Sequence, residues 1–155
     1  MLVIELLETD FVSLDDFPLR WRFERDRRGV STDDLSRVRP LSVTAAATTD
    51  RRARDACDEE WASGLTFRSD DAPAVVLDRL RELPPAPTEA VLISWDARTA
   101  AMTDWGLFVA HWDDFCYPAS DDVTVFPLGG EWVLCYHHYE VFQFRQTALR
   151  RAPNA

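Results

Sequence analysis

The runs Val123-Thr124-Val125-Phe126, Trp132-Val133-Leu134-Cys135-Tyr136-His137 and Val141-Phe142-Gln143-Phe144-Arg145 decide the fold. Each is rich in β-branched and aromatic residues, and only short breaks separate them, the first being the turn Leu128-Gly129-Gly130. Breaks this short join antiparallel neighbours, because a parallel crossover needs a dozen residues or more. Upstream, Ala90-Val91-Leu92-Ile93-Ser94-Trp95 is apolar almost throughout, which marks a central strand.

Working outward, the chain alternates helix and strand signals. Residues 1–7 predict a strand. So does Leu19, Trp21 and Phe23 alternating with Arg20, Arg22 and Glu24, a run that Arg27-Arg28-Gly29 would end. Ser31-Thr32-Asp33-Asp34 offers N-cap oxygens to a short helix before Pro40. From Leu41 to Ser63, the residues Val43, Ala46, Ala47, Ala53, Cys57 and Trp61 fit one helical face, with Gly64 as C-cap and Thr48-Thr49-Asp50 as a break. A further helix should start near Asp71, carry Pro73 in its first turn and bury Val76, Leu77, Leu80 and Leu83. Pro84-Pro85-Ala86-Pro87 stops it and is the only linker-like segment, too short to mark a domain boundary. Thr103 can cap a helix whose Trp105, Phe108, Val109, Trp112 and Phe115 share one face, and Tyr117-Pro118 ends it.

The expectation is one α+β domain over residues 1–148. It has a mostly antiparallel sheet, a C-terminal meander and helices packed on one face, with 149–155 as a frayed tail. The length, 155 residues with 46% hydrophobic and 28% charged, suits one domain with a real core. There are 27 acids against 17 bases, a net charge of -10. That balance speaks against nucleic acid and against an anionic membrane surface, both of which need excess Lys and Arg. All 17 bases are Arg, and the sole Asn is Asn154, as in a GC-rich bacterial genome. Without Lys there is no Schiff-base or P-loop chemistry. The start Met1-Leu2-Val3-Ile4-Glu5 lacks the positive region of a signal peptide, and no run approaches the roughly 18 apolar residues of a membrane span. Cys57, Cys116 and Cys135 are an odd count without tight spacing, which points to a reducing cytoplasm and leaves a Cys116–Cys135 disulfide as the minor alternative.

Charge is polarised along the chain. Residues 96–140 hold eight acids and one Arg, together with His111, His137 and His138. Two readings follow. In the first, Trp112 and Tyr117 act as anchors and Asp113, Asp114, Asp121 and Asp122 as charge complement on a face that docks a basic protein. In the second, His111, His137, His138 and Glu140 hold a transition metal such as zinc. The metal reading has no HExxH, CxxC or EF-hand spacing behind it. There is no G-x-S-x-G elbow, Cys135 lies in an apolar run, and Cys116 sits at a helix C-terminus, so the residues nominate no catalytic group. The aromatic helix face reads as core, with a groove or dimer contact as its functional alternative. Self-association through a sheet edge is a further candidate partnership.

Three places carry a resemblance. They are Trp21-Arg22-Phe23 followed by Asp33-Asp34-Leu35 and Pro40-Leu41; Ile93-Ser94-Trp95 with Thr103-Asp104-Trp105; and Trp112-Asp113-Asp114-Phe115-Cys116-Tyr117-Pro118, continued by Trp132 to His138. This pattern resembles a family of small acidic bacterial proteins known as a domain of unknown function, over most of the chain. In general character the chain is also similar to toxin-immunity proteins. The resemblance implies a bacterial cytoplasmic α+β protein and carries over no catalytic residue.

Overall fold

A computed structural model describes residues 3–24, 30–58 and 61–147. Its frame is a seven-stranded sheet: β1 Arg39–Pro40, β2 Trp61–Arg68, β3 Ala90–Asp96, β4 Thr99–Asp104, β5 Val123–Pro127, β6 Trp132–His137 and β7 Val141–Thr147. The spatial order is β1-β4-β3-β5-β6-β7-β2, and every pairing is antiparallel. The meander β5-β6-β7 and the interior position of β3 are as the residue pattern requires. Tyr139 lies in the tight β6–β7 turn, where Glu140 adopts a left-handed backbone (φ 67) and returns its N–H to the His137 carbonyl.

The α+β class and antiparallel sheet stand, but the helices cover both faces rather than one. Successive residues of a strand point to opposite sides. Val91, Ile93, Val125, Leu134 and Phe142 join one core. Leu92, Ala100, Phe126, Val133 and Cys135 join a second. The first core is closed by α1 Arg20–Phe23, α4 Pro73–Arg81, α5 Trp105–Ala110 and α6 Trp112–Phe115; the second is closed by α3 Val43–Asp58, with Ile4, Leu6 and Phe11 of the N-terminal segment packed at its edge. A strand as apolar as β3 needs cover on both sides, and α3 supplies the second cover. The α3 face that meets the sheet is built of Ala45, Ala46, Ala53 and Ala56, all buried. Small side chains let the helix sit close over β3 and β4.

Capping explains where the helices begin. The Ser31 Oγ accepts from the Asp34 N–H at the start of α2 Thr32–Ser36. The Ser42 Oγ accepts from the Ala45 N–H at the start of α3, and Pro73 occupies the first turn of α4. Asp104, not Thr103, caps α5, with its Oδ1 2.8 Å from the Leu107 N–H.

Several expectations are overturned. The run Leu19–Glu24 is not a strand but one helical turn, in which Arg22 and Phe23 are buried and Trp21 is half exposed. Six alternating residues cannot specify a strand when Phe23 can pack on Phe115 (centroids 4.9 Å apart) and Arg22 can find a carboxylate. Residues 3–7 form no strand; Ile4 makes a single backbone bond to Leu128. Thr48-Thr49-Asp50 does not interrupt α3, because the Thr49 hydroxyl donates back to the Ala45 carbonyl at 2.9 Å. Trp61 and Gly64 belong to β2, where Gly64 lies opposite Arg145, rather than to a helix and its cap. β4 carries no strand signal of its own, because Thr99-Ala100-Ala101-Met102 has weak strand propensity; burial between β1 and β3 overrides it. The long aromatic helix is two helices, parted at His111 (φ -124, ψ 28), although Trp105, Phe108, Trp112 and Phe115 are all core as expected. Arg27-Arg28-Gly29, Met1, Leu2 and the proposed tail 149–155 lie outside the described residues.

The tight seating of α3 gives a test. Ala46→Leu adds atoms where none fit and should destabilise the fold by about 1–3 kcal/mol, read as a lower urea midpoint at unchanged slope. Val43→Leu, on the exposed start of the same helix, should move the midpoint little.

Candidate functional site

Each residue nominated from sequence has a definite place. Trp112 is 7% exposed and meets Phe142 edge-on, so it offers no anchor to a partner. Asp121 is buried too, in a two-pronged pair with Arg22: Nη1 to Oδ2 at 2.5 Å and Nη2 to Oδ1 at 3.1 Å. The same carboxylate accepts from the Tyr117 N–H, and the Arg22 guanidinium lies 4.0 Å over the Tyr117 ring. Tyr117 and Asp121 therefore belong to an internal lock that ties α1 to the loop before β5. Asp113 and Asp114 sit on α6, against the first core. Asp122 faces the other way, toward α3. The six residues do not form one face.

The four nominated metal ligands are not gathered either. His111 closes α5, with Asp34 and Asp114 at 3.7 and 4.0 Å. The His137 Nε2 meets the Gln143 side chain at 3.0 Å, and its ring stacks on Tyr139. His138 bonds to Asp122, and Glu140 shapes the turn. Among the described residues no three His, Cys, Asp or Glu side chains are grouped as a metal would need. Consecutive residues of the hairpin tip diverge, and α6 belongs to the core on the far side of Cys135.

The structure instead places a groove of about 430 Å³ between the last turns of α3 and the sheet. Asp50, Arg54, Cys57 and Asp58 come from α3; Ser94, Trp95 and Asp96 from β3; Asp122 and Thr124 from the entry to β5. A bulge makes the room. Ser94 pairs with Ala100 and Asp96 with Thr99, so Trp95 is an extra residue that bends the strand end. Its indole is held on the other side by donating to the Phe115 carbonyl at 2.9 Å.

The groove is acidic, with four aspartates and one arginine. Asp50 pairs with Arg54 one turn on, at 3.0 Å. The Asp96 Oδ1 accepts from the Arg98 N–H and fixes the β3–β4 turn. The Asp122 Oδ1 accepts from both the backbone N–H and Nδ1 of His138, each at 3.0 Å. Partial burial pushes the Asp122 carboxyl up, but these bonds outweigh it and hold it below the ordinary value. At the floor the Ser94 hydroxyl is buried, 3% exposed, and has no hydrogen-bond partner. Beside it the Cys57 and Cys135 sulfurs are 2.8 Å apart, with the Thr124 hydroxyl 3.9 Å from Cys57. Cys135 thus faces Cys57 and not Cys116, which is buried in the core on the opposite side of the sheet; a Cys116–Cys135 disulfide is excluded by that layer. The sequence holds a weak signal for the groove, since helical spacing puts Cys57 on the same face as Ala46 and Ala53, but nothing local pairs it with Cys135.

Two predictions separate scaffold from site. Asp121→Asn leaves Arg22 buried without its counter-charge and should cost about 3–5 kcal/mol in urea unfolding, whereas Asp113→Asn should cost little. The His138 contact depresses the Asp122 pKa, so it stabilises the fold fully above the unfolded-state carboxylate value. That stabilisation is lost as pH falls through the folded-state value. His138→Ala should raise the Asp122 titration midpoint, followed by carboxyl NMR. Comparison with known proteins finds no family model, no curated protein and no solved structure that matches this chain.

Proposed function

We propose that this protein is a non-enzymatic interaction module that seats a cationic group of a basic protein partner in the groove between α3 and the sheet. The observation that carries the reading is the buried, unpartnered Ser94 hydroxyl at the floor of a groove ringed by Asp50, Asp58, Asp96 and Asp122. A buried hydroxyl without a partner is costly, and a guanidinium or ammonium entering the groove would satisfy it while the carboxylates take up the charge. The overall charge of -10 favours encounter with a basic surface over a long range. Immunity-like inhibition of a basic enzyme is one form that such docking takes.

An arginine-rich peptide is the probe, titrated calorimetrically against the purified chain. Affinity should fall by roughly an order of magnitude between about 50 and about 300 mM salt, as the Debye length shortens. Asp58→Arg with Asp122→Arg should abolish binding, and Asp113→Arg with Asp114→Arg, on α6, should leave it within about twofold. Equal losses from both pairs would mean that bulk charge rather than the groove attracts the peptide, and the reading would fail.

A further inference from the structure

We propose that Cys57 and Cys135 form a reversible disulfide, with Cys57 as the thiol that reacts first with a hydroperoxide and Cys135 as the one that resolves it. The inference does not depend on what the groove binds. It rests on three features of the pair.

The first is position. The two sulfurs lie 2.8 Å apart, well inside van der Waals contact, so both side chains already point at one another across the α3–β6 contact. A bond of about 2.05 Å needs less than an ångström of further approach and no rearrangement of either element. The second is access. Cys57 is partly exposed on the groove wall, whereas Cys135 is 5% exposed beneath it. A small oxidant meets Cys57 alone. The third is electrostatics. The Cys135 S–H bond to Cys57, with lesser help from the Thr124 hydroxyl and the Arg145 charge, outweighs partial burial and lowers the Cys57 thiol to about 7. The Arg145 Nη1 also donates to the Cys57 carbonyl at 3.4 Å. Thiolate is the reactive form, so part of Cys57 is ready at neutral pH. Cys135 is held up as a thiol by the same contact and by burial.

The chemistry balances in two steps. The Cys57 thiolate attacks one peroxide oxygen; the O–O bond breaks, hydroxide (or alkoxide) leaves and takes up a proton, and Cys57 becomes a sulfenic acid. The Cys135 sulfur then attacks the Cys57 sulfur. The S–S bond forms, the S–OH bond breaks, and the hydroxide leaves with the Cys135 proton as water. Two thiols lose two electrons to one peroxide. The third cysteine is a built-in control: Cys116 is buried in the other core, and burial raises its thiol well above the ordinary value. The product staples the end of α3 to β6, so oxidation would fix the groove wall that Cys57 belongs to.

The test uses the wild-type chain. The reduced protein is treated with a slight excess of hydrogen peroxide, unfolded, alkylated with iodoacetamide and measured by intact mass. The expected result is a monomer with only one alkylated thiol, restored to three by dithiothreitol. Trypsin leaves Cys116 and Cys135 in the single peptide 99–145, so a chymotryptic digest is used to show the Cys57–Cys135 link. Cys135→Ser should instead accumulate a dimedone-trapped sulfenic acid at Cys57. Three alkylatable thiols after peroxide would overturn the proposal. So would over-oxidation of Cys57 with Cys135 still free, or a link that involves Cys116.

Discussion

Strand β3 is the constraint on which the other layers depend. Val91, Leu92, Ile93 and Ser94 have almost no solvent contact, and the strand is hydrogen-bonded on both edges, to β4 and β5. A strand in that position must send alternate side chains into two separate cores. Val91 and Ile93 commit one face to the aromatic layer of Trp105, Phe108 and Phe115, and Leu92 commits the other to α3. Neither helical layer can be removed without exposing half of β3 to water, and each buried aliphatic side chain there is worth about 1.5–3 kcal/mol.

The two layers are built on different principles. The first core is filled by large rings that meet at tilted or edge-on angles, including Trp105 on Trp132 and Trp112 on Phe142. Its helices are short, and α5 and α6 part at His111 while keeping their rings on one core. The second core is thin. An alanine face lets one long straight helix lie close to the sheet, and that closeness brings Cys57 over Cys135. Beside Ala53 and Cys57 the bulge at Trp95 turns β3 aside and the groove opens.

The charged residues divide in a way their order in the chain does not suggest. Asp121 and Asp122 are neighbours, yet one is sealed against Arg22 on the first-core side and the other lines the groove against α3. Adjacent residues entering a strand must point apart. The same rule separates His137, bonded to Gln143, from His138, bonded to Asp122. An acidic stretch is thus spread over two faces of the molecule, part of it structural.

By itself, the sequence determined the central strand, the meander, the Ser31 and Pro73 helix starts and the burial of the aromatic face. Each is written within a few residues, as a period of two, a period of 3.6, a cap or a turn. It also determined the charge. Tertiary structure alone decided that Leu19–Glu24 would be helical, that Ala100 and Ala101 would sit in a strand, and that the helices would cover both faces. It alone brought together Arg22 with Asp121, 99 positions apart, and Cys57 with Cys135, 78 apart. Those contacts depend on which layer each element joins, and layers form only when burial of the whole sheet outweighs the preferences of short segments.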